Sequence, residues 1–369
     1  MVLALSFTAA SASARDKGGS GDVINYSWAS SRIEGELWGL AQGNLDNDGS
    51  ADTVLLERKR VRIGKIGEKG FEERFSCGWK EDAAAARAYL IDVDGDGKDE
   101  IAISAVEEGM PSSLVLAVDA DAKKCSELVS RARWSIRAVA LPAEGADTGP
   151  ARRVLAGQAW SSQKYFSGPI VELALKKDKL VRQRDIELPH FTDLYQFTIL
   201  PPENGAERVL RLAGYSAMEL REHKGGGKWR KIWRSGDKLG GAANLLPAVQ
   251  RPALDEVSSD YAYFDLPPLT LKQADGVHAL AVKYDLPLRN VIGRTPYARG
   301  AETVMFKPDP ALTYIEEKRT QDLPGPIMDY FIAAPADSAG KVRLYVLVQQ
   351  DAGAFINSTE ASILAFDLN

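Results

Sequence analysis

Residues 38–57 read WGLAQGNLDNDGSADTVLLE, and residues 86–105 read ARAYLIDVDGDGKDEIAISA. Each segment is an apolar run, then a carboxylate-rich loop with glycine at its sixth position, then a second apolar run. The loops start at Asn44 and Asp92 and their glycines are Gly49 and Gly97, so both landmarks recur 48 residues apart. Weaker copies of the outline follow at 137–158, 196–215, 269–284 and 330–348, with wider spacing. Further strand-like runs lie between copies, at 167–177 and 180–188, and again at 217–224 and 228–235, the latter two turned by Gly225, Gly226 and Gly227. Four short strands per unit, repeated at roughly 45 to 60 residues, predict an all-β propeller of six blades, with seven as the alternative count. A β-sandwich would not make a loop motif recur at a fixed long period. The last copy ends on its third strand, at 362–369, while 22–30 precedes the first copy. That N-terminal stretch is expected to join the last blade as its fourth strand, closing the ring and hiding its edges.

The loops align position by position. Positions 1, 3, 5, 7 and 9 are Asn44, Asp46, Asp48, Ser50 and Asp52 in the first, and Asp92, Asp94, Asp96, Lys98 and Glu100 in the second. Alternating oxygens on a tight turn suit Ca²⁺, which takes six to eight oxygen ligands. Glycine permits the turn, and position 7 offers its backbone carbonyl, so serine and lysine serve equally there. An EF-hand or dockerin would need an acid at position 12 and helical flanks. Position 12 is Leu55 or Ile103, and the residues that follow read as strands.

These two segments resemble FG-GAP repeats, also called VCBS repeats, the blades of integrin α-type propellers, here of an exported bacterial type. The matching pattern is acid-x-acid-x-acid-Gly-x-x-acid before a hydrophobic strand, with Asn44 in place of the first acid. The resemblance is specific over about a quarter of the chain and topological in the rest. It implies one Ca²⁺ per intact loop, between the first and second strands of a blade. The later copies, with Leu200, Pro202, Asn204 and Arg208, or Leu271, Gln273, Asp275 and Ala279, lack the acids and are expected to be metal-free. Two Ca²⁺ ions with a structural role are expected, the second loop binding more tightly.

The chain has 369 residues, 45 % hydrophobic and 26 % charged, a globular composition that excludes disorder. Its formal charge of −5 argues against a nucleic-acid partner. Asp46, Asp48, Asp52, Asp92, Asp94, Asp96, Asp99 and Glu100 concentrate that acidity in the two loops. No later stretch is apolar for long enough to span a membrane. Residues 1–14, MVLALSFTAASASA, combine a short apolar run with a small-residue cleavage pattern, and read as a signal peptide lacking its basic start. The expected location is the periplasm, the cell surface or the extracellular space, with 15–369 forming one propeller domain.

Cys77 and Cys125 are also 48 residues apart. Equivalent positions in neighbouring blades tend to lie beyond the roughly 7 Å Cα separation a disulfide tolerates, so two unpaired thiols are expected. His190, His223 and His278 show no metal-ligand spacing, and no nucleophile elbow, phosphate loop or HExxH motif occurs. Residues 58–62, RKRVR, read as an edge strand guarded by charge. Residues 221–238 interleave Trp229 and Trp233 with basic side chains. The leading reading is a non-enzymatic binding or assembly module, a monomer or part of a larger surface assembly, with a protein or glycan ligand. The long inserts at 247–263 and 286–301 are its candidate surfaces. The alternatives are a polysaccharide lyase or hydrolase, or a lectin-like sugar binder stacking on Trp229 or Trp233.

Overall fold

The computed structural model describes residues 21–142, 151–161, 164–203, 205–213, 217–241, 244–248, 261–285, 300–311, 313–333, 341–349 and 360–368. The leader expected at 1–14, most of the insert at 286–301 and the tip of the insert at 247–263 lie outside these residues. The chain forms six antiparallel blades in a ring, a six-bladed β-propeller. Blade 1 runs outward from the centre of the ring as Gly39–Gly43, Asp52–Leu56, Arg60–Gly67 and Gly70–Gly78. Blade 2 is Ala84–Ile91, Glu100–Glu107, Ser113–Asp119 and Lys124–Ala132, with a short extra strand, Met110–Pro111. Blade 3 is Trp134–Leu141, Arg152–Ala159, Ser167–Lys176 and Lys179–Asp185. Blade 4 is Phe197–Glu203, Ala206–Ala213, Ala217–His223 and Trp229–Arg234. Blade 5 is Leu269–Gln273, Gly276–Asp285, Gly300–Asp309 and Thr313–Thr320. Each of the six sequence copies is the inner hairpin of one blade.

Blade 6 has three strands from the C-terminal end, Ile327–Ala333, Arg343–Gln349 and Glu360–Asp367. Its outer edge is completed by the N-terminal segment, as the sequence predicts. Trp28–Ala29 and then Ile33–Glu34 pair antiparallel with Glu360–Asp367. Asp22–Ile24 adds something unforeseen: it pairs in parallel with the outer strand of blade 5. The N-terminal segment therefore laces two blades together.

Second strands are apolar on both faces because each blade is packed between two others. In blade 1, Val54 and Leu56 point to blade 2 while Leu55 points to blade 6, and all three are fully buried. Ile101 and Ile103 meet blade 1, whereas Ala102 meets blade 3. The core is thus divided into six apolar clusters, one at each blade–blade interface around the ring.

Two expectations are corrected. Residues 58–62 do not guard an edge, because Arg60–Gly67 is a third strand and Gly70–Gly78 covers it. Their charges are answered within the blade: Arg60 pairs with Glu57, Arg62 with Glu73, and Arg58 lies 3.2 Å from the centre of the Trp38 ring. The cysteines are not free, since Cys77 and Cys125 form a disulfide with Cα atoms 6.0 Å apart. Their equal spacing hides different places in the blade. Cys77 stands opposite Val61, at the start of a third strand, and Cys125 opposite Val118, at the end of one. The connection through Met110–Pro111 delays the third strand of blade 2 and creates that offset. The end of one outer strand thereby meets the start of the next.

Candidate metal loops

Both acidic loops join the first and second strands of their blades, and both bend through the left-handed region. Gly49 has φ +81° and Gly97 φ +88°, and Gly95 and Asn47 are also left-handed. Glycine, and more rarely asparagine, takes that conformation with little strain. Side-chain oxygens then cap loop amides. Asp92 accepts from Gly95 N at 2.6 Å and Gly97 N at 3.0 Å, and Asp96 accepts from Lys98 N at 2.8 Å. In the first loop Asn44 Oδ1 accepts from Asn47 N, and Asp48 Oδ1 from Ser50 N, both at 2.8 Å. The loops also touch each other. Asp99 Oδ2 accepts from Asn44 N at 2.8 Å, while Asp99 N donates to Asn44 O at 2.7 Å.

The second loop brings carboxylate oxygens of Asp92, Asp94 and Glu100 within 4.8 Å of one another. Among the described residues, none of these three has a basic partner. Glu100 is 3 % exposed, and Val93 N donates to its Oε2 at 2.8 Å. Burial, reinforced by the charges of Asp94, Asp96 and Asp92, pushes its carboxyl up to about 7. Close acids, one of them buried, are unfavourable together unless a cation or a proton joins them. Asp96 stays outside the convergent set, and the Lys98 side chain is exposed. These residues fit a hard divalent cation.

The first loop has the same acids with a different charge balance. Arg74, on the outer strand of its blade, bridges Asp46 and Asp52 at 3.0 Å each. Lys65, on the third strand, reaches Asp48 at 2.9 Å and also bonds Ser50 Oγ. Hydrogen bonds from Ser50 and then Lys65 hold the Asp48 carboxyl below its ordinary range. Asp52 is fully buried, and its carboxyl is raised by burial first and by Asp46 next. Here two side-chain cations stand among the predicted ligand positions. The motif reveals the acids, whereas Lys65 and Arg74 lie well outside it on other strands.

A second group escaped the sequence reading. Glu187, Glu207 and His223 come from a connection and two different strands, yet their ligand atoms meet within 4.8 Å. His223 lies 3.0 Å from Glu187 and 3.4 Å from Glu207. His278 is a buried strand residue, 2.8 Å from Asp275 and 3.2 Å from Glu317.

The centre of the ring carries a buried polar belt from the innermost strands. Arg87, fully buried, donates to Met328 O and Phe264 O and lies 3.6 Å from Asp329. Arg137 donates to Leu194 O at 2.9 Å and Phe197 O at 2.7 Å. These donors are engaged with backbone carbonyls, an arrangement that fixes blades to one another. The insert between blades 4 and 5 forms a short hairpin, Leu245–Pro247 with Tyr261–Tyr263. Asn244 beside it bonds Ala86 O and accepts from Arg58 at 3.1 Å, so its base reaches across the ring to blades 1 and 2. Trp233 is packed against Phe306 and Tyr314 of blade 5, ring centres 5.6 and 5.4 Å away, which removes it as a stacking platform.

No protein-family model and no curated protein matches this chain. Among the described residues, no helix is long and apolar enough to cross a membrane.

Proposed function

We propose that this propeller is an exported, calcium-stabilised module of the FG-GAP type that binds or assembles with a partner and is not an enzyme. The observation that carries this reading is the convergence of Asp92, Asp94 and the buried Glu100 without a basic partner. Those residues would hold one Ca²⁺, with Asp96 and the Lys98 carbonyl as further donors of the same loop. The ion would offset the burial and the neighbouring charges that together raise Glu100, and fix the inner hairpin of blade 2. Asn44, Asp46, Asp48, Ser50 and Asp52 would hold a second ion once Arg74 and Lys65 swing away, so the blade 2 loop fills first. The Cys77–Cys125 bridge supports export, since such bonds persist in oxidising compartments.

The test is a thermal melt of EDTA-treated protein titrated with Ca²⁺. The melting temperature rises by several degrees as a ligand bound only by the folded state stabilises it. Glu100→Gln removes most of that rise. A melting temperature indifferent to both calcium and EDTA would sink the reading.

A further inference from the structure

We propose that a cleft beside the outer hairpin of blade 4 binds an acidic saccharide, a pyranose ring carrying a carboxylate. This deepens the binding-module reading by naming a ligand class, and it rests on that reading. The cleft has a volume of about 390 Å³, and Phe191, Arg211, Arg221, Lys228 and Trp229 are among the residues that line it. That volume falls in the range of about 300–1,000 Å³ usual for small-molecule sites.

Its apolar wall is held in place at a cost. Phe191 is 92 % exposed and has φ +60°, a conformation that bulky residues rarely adopt. The turn carrying it is fixed on both sides: Arg211 donates to His190 O at 2.9 Å, and Thr192 Oγ1 donates to Pro189 O at 2.6 Å. Trp229 is fixed by stacking on His223, with ring centres 4.9 Å apart and planes at 26°. An exposed ring beside a half-buried one that lines the same cleft suits the C–H face of a sugar.

The charges beside the rings are unbalanced. Arg211 and Arg221 share one carboxylate oxygen, Glu219 Oε2, at 2.9–3.3 Å, and Lys231 stands 4.0 Å from the other oxygen. One buried acid therefore answers three cations. Lys228 has no acidic partner among the described residues, and no acid lines the cleft. Glu187 and Glu207 face His223, with Glu187 Oε1 4.0 Å from where a Cβ at Gly227, which lines the cleft, would lie. Planar guanidinium groups with surplus positive charge match a carboxylate. A nucleic-acid strand would need an extended basic track, whereas here the surplus is confined to one cleft on a chain of net charge −5.

The test is calorimetric titration of the full chain, in calcium, with tetragalacturonate, maltotetraose and hexa-aspartate. Only tetragalacturonate is expected to bind saturably. Phe191→Ala and Lys228→Ala, both exposed positions that leave the fold intact, each weaken it roughly tenfold, the scale of one lost contact. Raising NaCl from about 0.05 to about 0.5 M weakens it further. Absence of saturable heat with tetragalacturonate overturns the inference, as does equal binding of the neutral sugar or the acidic peptide. Unchanged affinity in both variants also overturns it. Loss of saccharide binding would leave the module reading standing. Depolymerisation of the oligomer, with binding still weakened in Phe191→Ala, would refute the non-enzymatic reading and leave the cleft's ligand in place.

Discussion

Arg74 separates the two acidic loops more sharply than any of their acids does. The alternation of Asp46, Asp48 and Asp52 with Gly49 was legible because the acidic pattern is local, and the same holds for Asp92 to Glu100. What reaches each loop from elsewhere was not legible, since Arg74 sits 22 residues beyond Asp52 on another strand of the blade. The guanidinium there answers two carboxylates at once. Arg74→Ala should therefore lower the melting temperature in EDTA, because buried Asp52 loses its partner. It should also enlarge the stabilisation that calcium gives, because the ion no longer competes with a resident cation. Melts of parent and variant with and without calcium check this, and an identical calcium increment in both would refute the competition.

At the scale of strands, alternation and repeat spacing located the inner hairpins, since each needs two apolar faces between neighbouring blades. Outer strands are exposed on one side and vary in connection length, so their relative placing was hidden. That is why a 48-residue coincidence at Cys77 and Cys125 suggested equivalent positions, when one cysteine ends an outer strand and the other begins the next. Blade twist brings those two ends together. The bond closes a loop of 48 residues and ties blade 1 to blade 2 on their outer rim, next to the interface that both acidic loops share. Replacing both cysteines by serine should reduce unfolding free energy by up to about 4 kcal/mol, as loop-closure entropy predicts. Urea unfolding with and without reductant measures this. Denatured, unreduced protein should show no free thiol, and two titratable thiols would contradict the pairing.

For the whole molecule, six interface clusters leave no blade dispensable, and the ring is closed by hydrogen bonds between the chain's two terminal regions. The antiparallel half of that closure was legible, because the last copy visibly lacks a strand. The parallel pairing of Asp22–Ile24 with blade 5 was not, because nothing in so short a stretch marks a partner in the last sixth of the chain. Deleting residues 21–34 should expose the edges of Glu360–Asp367 and Thr313–Thr320 together. A large fall in melting temperature with light-scattering aggregation is expected, and a soluble variant of unchanged stability would refute the role of the lacing. Closure also sets an order of events. Ser27 bonds Ala365 across 338 residues, so the early strand must wait for a partner that far along the chain. Such a distant contact forms slowly, because the entropy of a long loop is lost before any pairing rewards it. Blades 2 to 4 are built from contiguous sequence and can assemble in order, but two sheet edges stay open until the segment at 22–34 docks. The moment of greatest vulnerability therefore falls just before closure, and the rate of that step sets how long the half-built ring can be caught by a chaperone or by another copy of itself.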